Sequence, residues 1–375
     1  MLSIRTAGLS LALAACAVLV FGACSPKLPE EPAKPDAGAK AADKPAPAKN
    51  PWEGWSFDEL GKHAGGALHV EFSADGKRLV STGKDNLVKL WSMPDGKLER
   101  ELKGHAKQPG MATFSPDGAL VLSVSADETA RVWDVATGKE KALLKEKPPK
   151  KKLTPEEEEA LASIPLPEMN WGAFSPDGLR VITAGDDFAL KLWDWKKGEK
   201  LAAYQDDGCR QRKVLRRRDG PGWLSAAGCL EDGVTYLRFW TEEGQLQQSR
   251  GDQDHDAHYF VYDRRGSFLL AADGSLAMSI YSAQGSFLKR ALVGTYHFGL
   301  TFGPGDDTLL IGTDRGAIYV YRTDTWTRVG KLDLGAKVAV DALALSPADD
   351  SLVAALRDGR VIRFKEPVRL PADGK

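Results

Sequence analysis

The chain is read as an all-β fold made of repeated units closed into a ring, on three observations. His63, Ser81, Asp85 and Trp91 lie 18, 4 and 6 residues apart, and His105, Ser123, Asp127 and Trp133 repeat those intervals 42 residues later. Identical spacing of four chemically unlike residues marks a duplicated structural unit. An aromatic or apolar anchor before an Asp-Gly-type turn also recurs, at Phe72, Phe114, Phe174, a blurred match near Arg216, Tyr262, Phe302 and Leu345, which makes seven units. In six of them an aromatic follows 19 residues later: Trp91, Trp133, Trp193, Tyr281, Tyr321 and Phe364. Within each unit apolar and polar residues alternate in short runs, as in Leu120-Val121-Leu122-Ser123-Val124 and Ala130-Arg131-Val132-Trp133. That is strand patterning, with almost no helix.

Four-stranded blades packed face to face around a channel satisfy this pattern. The opening Gly104-His105, the turn Phe114-Ser115-Pro116-Asp117-Gly118 and the closing Trp133-Asp134 resemble the WD40 repeat. The resemblance implies a seven-bladed β-propeller in which the His, Ser, Asp and Trp of a unit form a hydrogen-bonded tetrad. It covers roughly Phe57 to Leu370 and is strong in the first three units. Later units carry Tyr281-Ser282, Tyr321-Arg322 and Phe364-Lys365 in place of Trp-Asp, keeping a large ring while shedding its partners. Those blades must be held by packing, because an indole or imidazole left unpaired in a blade costs about 1 to 3 kcal/mol. Ring closure is expected as well, since an open ring exposes edge strands. Trp55 to Leu60 precedes the first His as Leu98 to Leu102 precedes His105, so it should add a strand to the blade containing Phe364.

Ahead of the propeller, expected over residues 52–371, Met1 to Ala23 has the layout of a secretory signal, with Arg5 before the apolar run Leu9 to Phe21. Small residues before Cys24 and Ser25 after it resemble the lipobox of bacterial lipoproteins, which implies lipidation at Cys24. Cys16, after Leu13-Ala14-Ala15, is a second candidate, and an unlipidated segment is a third possibility. In Gram-negative lipoproteins Ser after the Cys permits export to the outer membrane, so the resemblance places the domain there, facing the periplasm. Residues 24–51 are rich in Pro, Ala and Lys with no apolar periodicity, and are expected to be a disordered tether. At about 3 Å per residue it could reach some ~80 Å when extended.

The second and third anchors are 60 residues apart against 42 for the first pair, which marks an insertion at 148–168. Thr154, Pro155 and Glu157 fit a capping box, predicting a short exposed helix. It is either a tolerated loop or a partner-contacting element.

Several constellations invite chemistry. His with Ser and Asp mimics a catalytic triad, but recurrence at identical spacing suits a clasp needed in every blade. Gly251 to His258 is dense in Asp and His, yet Ala257 stands where a calcium loop needs Gly and Asp263 where it needs Glu, so no metal is expected. Arg210, Arg212, Lys213 and Arg216 to Arg218 form the one concentrated basic run, either a partly solvated strand face or a contact for an acidic partner or lipid headgroups. A net charge of −1 gives no field to attract nucleic acid. Cys209 and Cys229 remain after export and are expected to pair, standing in for the clasp that the fourth unit lacks. Phosphate-loop, dinucleotide and nucleophile-elbow motifs are missing, so neither cofactor nor catalytic residue is assigned.

The expected function is a cell-envelope lipoprotein serving as a protein-binding scaffold, and not an enzyme. Its partners would be other envelope proteins, and its membrane contact the lipid anchor. The alternatives are a periplasmic propeller enzyme or carbohydrate-binding module, and an outer-membrane assembly factor. Partner binding is expected on the face of the tetrad turns, with Lys84, Ala126 and Asp186 around the channel mouth and Asn170 and Trp171 beside the insertion. An exposed Trp171 would anchor a partner, although the residue could equally pack between blades.

Overall fold

Two turn chemistries set the ends of the strands. In the first blade the inner strand Ala67–Phe72 turns into Arg78–Gly83 through Ser73 to Lys77. Ser73 Oγ donates to Asp75 Oδ1 at 2.7 Å and accepts from Arg78 N at 3.0 Å, while Asp75 accepts from Lys77 N at 3.0 Å. Gly76 takes the left-handed conformation at φ 69°, where a side chain would also lie 2.5 Å from Ala348 Cβ of the last blade. Ser115 with Asp117 and Ser175 with Asp177 repeat the device in the next two blades.

The computed structural model describes residues 55–146, 169–185, 187–205, 209–229, 234–252, 259–272, 277–292, 297–335 and 337–366. The expectations for Cys24, Cys16 and the tether, for the insertion at 148–168, for Asp186 and for most of Gly251 to His258 lie outside the described residues. The described strands form seven four-stranded antiparallel sheets. Six run in chain order from inner to outer strand. The seventh takes its outer strand from the other end of the chain: Phe57–Lys62 pairs with Arg360–Phe364, Phe57 opposite Phe364 and Lys62 opposite Arg360. Trp55 and Phe57 set their rings 6.2 and 6.1 Å from that of Phe364. A side chain on Gly61 would come within 2.6 Å of the Trp91 ring, so the closing strand also abuts the first blade. Both ends of the chain are therefore held at one seam, and the ring has no open edge there.

The core lies between blades. Phe72, Leu79 and Trp91 of the first blade pack on Val353, Ala355 and Val361 of the seventh. The ring at the closing position is buried in all the blades where it was expected, from Trp91, Trp133 and Trp193 to Tyr281, Tyr321 and Phe364.

The fourth blade departs from the 19-residue rule. Its anchor Arg216 pairs with Trp223, seven residues on, as Phe72 pairs with Leu79. Its closing ring is Trp240, 24 residues after the anchor, because the second and third strands pair further than in the first blade, from Trp223 to Gly228 against Leu79 to Thr82. Trp240 pairs with Trp223 as Trp91 pairs with Leu79.

Inner strands also share an irregularity. Their register shifts between Ala67 and His69, Pro109 and Met111, Met169 and Trp171, Gln211 and Lys213, His297 and Gly299, and Val340 and Ala342. A bulge at one fixed level re-aims the next side chain, which sets His69, Met111, Trp171 and Lys213 at the same height in blades one to four.

Candidate functional site

Two complete tetrads stiffen one face of the propeller. An indole N–H can only donate, so Ser81 Oγ accepts from Trp91 Nε1 at 2.9 Å and gives its own proton to His63 Nε2 at 2.8 Å. His63 Nδ1–H then donates to Asp85 Oδ1 at 2.8 Å, and Asp85 Oδ2 accepts from Ala64 N at 3.1 Å. The second blade repeats the chain: Trp133 to Ser123 at 2.8 Å, Ser123 to His105 at 2.7 Å and His105 to Asp127 at 3.0 Å. Burial lowers the pKa of both imidazoles against the pull of their carboxylates, which favours the neutral ring that this pattern requires. Donor order matches a Ser-His-Asp triad, but both serines are 0% exposed and their oxygens are already engaged by indoles. These groups clasp a turn to a strand.

Among the described residues the third and fourth blades keep the inner half of the clasp. Trp193 Nε1 donates to Thr183 Oγ1 at 3.0 Å and Trp240 Nε1 to Ser225 Oγ at 2.9 Å. Where the fourth blade would need His and Asp, Cys209 opens the inner strand, Cys229 ends the second, and the two are joined by a disulfide. The bridge ties the same two turns that His63 and Asp85 tie in the first blade. Arg238 Nη2 approaches both sulfurs, at 3.4 Å from Cys209 and 3.9 Å from Cys229.

The turn before Asp85 carries Lys84, exposed, with its amide held by Gly66 O at 2.9 Å. Ala126, half-buried, stands at the same place in the second blade, its amide on Gln108 O at 3.2 Å. Asn86 Nδ2 reaches Ala106 O at 3.2 Å, bridging the two blades on this face. Asn170 and Trp171 lie in the inner strand Met169–Phe174.

Trp171 is not the exposed anchor considered above. It is half-buried, and the His69 ring stands edge-on to it at 5.3 Å. His69 belongs to blade one and Trp171 to blade three, so their contact spans the axis. Lys213, from blade four, holds its ammonium 4.1 Å from the centre of the Trp171 ring and donates to Phe260 O of blade five at 2.8 Å. Below them Glu71 of blade one accepts from Thr113 Oγ1 of blade two at 2.5 Å. The basic run of the fourth unit is therefore no single patch. Lys213 turns into the channel, and Arg217 folds back onto Asp219, with bonds of 2.9 and 2.8 Å, and onto Gln247.

Burial dominates the titration of this axial cluster. It raises the Glu71 carboxyl to about 7 despite the opposing bonds from Thr113 and the Phe114 amide and the charge of Lys213. It lowers Lys213 to about 8, with Glu71 only partly compensating, and drives His69 down to about 3 with help from Lys213. His69 Nδ1 has no hydrogen-bond partner. Sequence reasoning passed over His69 and Glu71. Three residues before successive anchors, His69, Trp171 and Lys213 occupy the bulge level, and this shared offset was the available signal.

The family model for the WD domain, G-beta repeat, matches residues 56–92, 96–134 and 171–194. These segments are WD40 repeats, and they cover the closing strand, the first blade, the second blade without its outer strand Glu140–Leu144, and part of the third. With seven four-stranded blades, the described chain is a seven-bladed propeller carrying WD40 repeats. No curated protein sequence matches the chain.

Proposed function

We propose that the chain is a cell-envelope lipoprotein whose propeller is a protein-binding scaffold, anchored through Cys24 and docking partners on the face of the tetrad turns. The observation that supports this most is the pair of complete tetrads. They hold the turns of Lys84 and Ala126 in fixed positions on one face while sealing their own polar groups from solvent. A preorganised surface loses little freedom on binding. WD40 propellers commonly serve as interaction scaffolds, and the lipobox-like residues before Cys24 supply the anchor.

Fractionation and co-purification test the proposal together. Cys24→Ser should abolish lipid labelling and release the domain from membranes; labelling that survives it but is lost in Cys16→Ser would move the anchor to Cys16. From detergent-extracted membranes, wild-type protein should retain a partner that Lys84→Glu and Asp186→Arg, both folded, release. Retention of every partner by both variants would remove this face as the docking surface.

A further inference from the structure

The axial cluster is more polar than the fold requires. At the level of the inner-strand bulge the second blade uses Met111, a side chain buried to 1% exposure, whereas blades one, three and four bring His69, Trp171 and Lys213. Enclosing a lysine and a glutamate costs free energy that a methionine avoids. His69, Glu71, Thr113, Trp171 and Lys213 sit among the inner strands, yet each keeps part of its surface accessible to water. They border a water-accessible space, and Trp171 also packs against two core clusters.

That space has a definite chemistry. Lys213 spends one N–H on Phe260 O and lays its charge over Trp171, leaving ammonium protons for another acceptor. Glu71 is already tied to Thr113. The aromatic walls are the Trp171 and His69 rings. One cation beside two aromatic rings suits a singly charged planar acceptor; a phosphate dianion would leave a charge unmatched. We propose that the axial cluster is a binding site for a carboxylate group, with Lys213 as its cation and the Trp171 and His69 rings beside it. A free small acid and an acidic side chain of a partner carry the same group, and the probes below distinguish them.

The charges acting on His69, Glu71 and Lys213 are one another's. With Glu71 titrating about 7 and Lys213 about 8, raising the pH across that interval replaces an ammonium and a carboxylic acid by an amine and a carboxylate. Carboxylate affinity should therefore fall by roughly tenfold or more between about pH 6 and about pH 8.5.

Titration calorimetry of the purified chain tests the site independently of docking on the tetrad face. The probes are acetate, succinate, a capped Gly-Glu-Gly peptide and its Gly-Gln-Gly counterpart. Saturable binding of at least one carboxylate near about pH 6, weakened near about pH 8.5 and lost in Lys213→Met, is the expected result. Glu71→Gln, which cannot titrate, should bind with a flattened pH profile. Binding of acetate or succinate identifies a small acid as sufficient, and binding of the glutamate peptide alone identifies a side chain of a partner. The proposal is overturned if the folded wild type binds none of the three carboxylates, or if Lys213→Met binds as tightly as wild type. Should Lys213→Met fail to fold, an unaltered pH profile in Glu71→Gln overturns it equally.

Discussion

Removing one oxygen, in Ser81→Ala, should cost far more than an ordinary serine substitution. Ser81 Oγ is the shared node of the first tetrad, accepting from Trp91 at 2.9 Å and donating to His63 at 2.8 Å in a site 0% exposed. Alanine leaves an indole N–H and an imidazole nitrogen buried without partners. At about 1 to 3 kcal/mol for each of the two orphaned groups, the loss should be roughly 2 to 6 kcal/mol, against the roughly 5 to 15 kcal/mol typical of a whole domain. Urea unfolding of the purified protein, followed by tryptophan fluorescence and circular dichroism, should show the midpoint fall with little change in slope. In a Trp91→Phe background one orphan is already absent, so the same substitution should cost measurably less. A loss below about 1 kcal/mol, or the same loss in both backgrounds, would refute the claim that the tetrad acts as a connected unit.

Deleting the closing strand tests the seam. Without residues 52–60 the third strand of the last blade loses its pairing, and Phe364 loses the rings of Trp55 and Phe57; the unfolding midpoint should drop markedly, and an unchanged midpoint would dismiss closure. Separation of Cys209 and Cys229 by 20 residues makes their bridge worth about 3 kcal/mol, so Cys229→Ser should be less stable than wild type under oxidising conditions. Intact mass showing two free thiols after export would contradict the bridge. Glu71 contributes a pH dependence of definite sign. Its carboxyl, raised by burial from 4.5 to about 7, adds stability that is complete below about 4.5 and lost as the pH rises through about 7. Wild type should therefore lose roughly 3 kcal/mol relative to Glu71→Gln over that range, and parallel stability curves would contradict it.

The first three blades were legible because their letters and spacings coincide, so that His63 to Trp91 and His105 to Trp133 announce both strand order and hydrogen bonding. The closing strand was legible as an echo of Leu98 to Leu102. Trp240 was not, since its hairpin carries two more strand pairs beyond the ring than the first blade's and so moves the ring off the 19-residue interval. The axial cluster was hidden for a different reason. In a strand of alternating pattern, a polar residue such as His69 or Glu71 is assigned to solvent, but in an inner strand the polar side faces the channel. Lys213 was further masked by the arginines around it, which made a run in sequence look like a patch in space. Trp171 was placed in the right strand, with an exposed anchor and packing between blades both left open, because no sequence signal ties blade three to His69 across the axis.

The proposed docking on the tetrad face is tested most directly by photocrosslinking from single positions in cells that express the full chain. A photoreactive residue would be placed in turn at Lys84, at Ala126, and at Asp117 in the turn at the other end of the inner strand. The account predicts one shared envelope-protein adduct from Lys84 and Ala126 and none from Asp117. Adducts from Asp117 alone, or from none of the three in cells where the protein is folded, would contradict it.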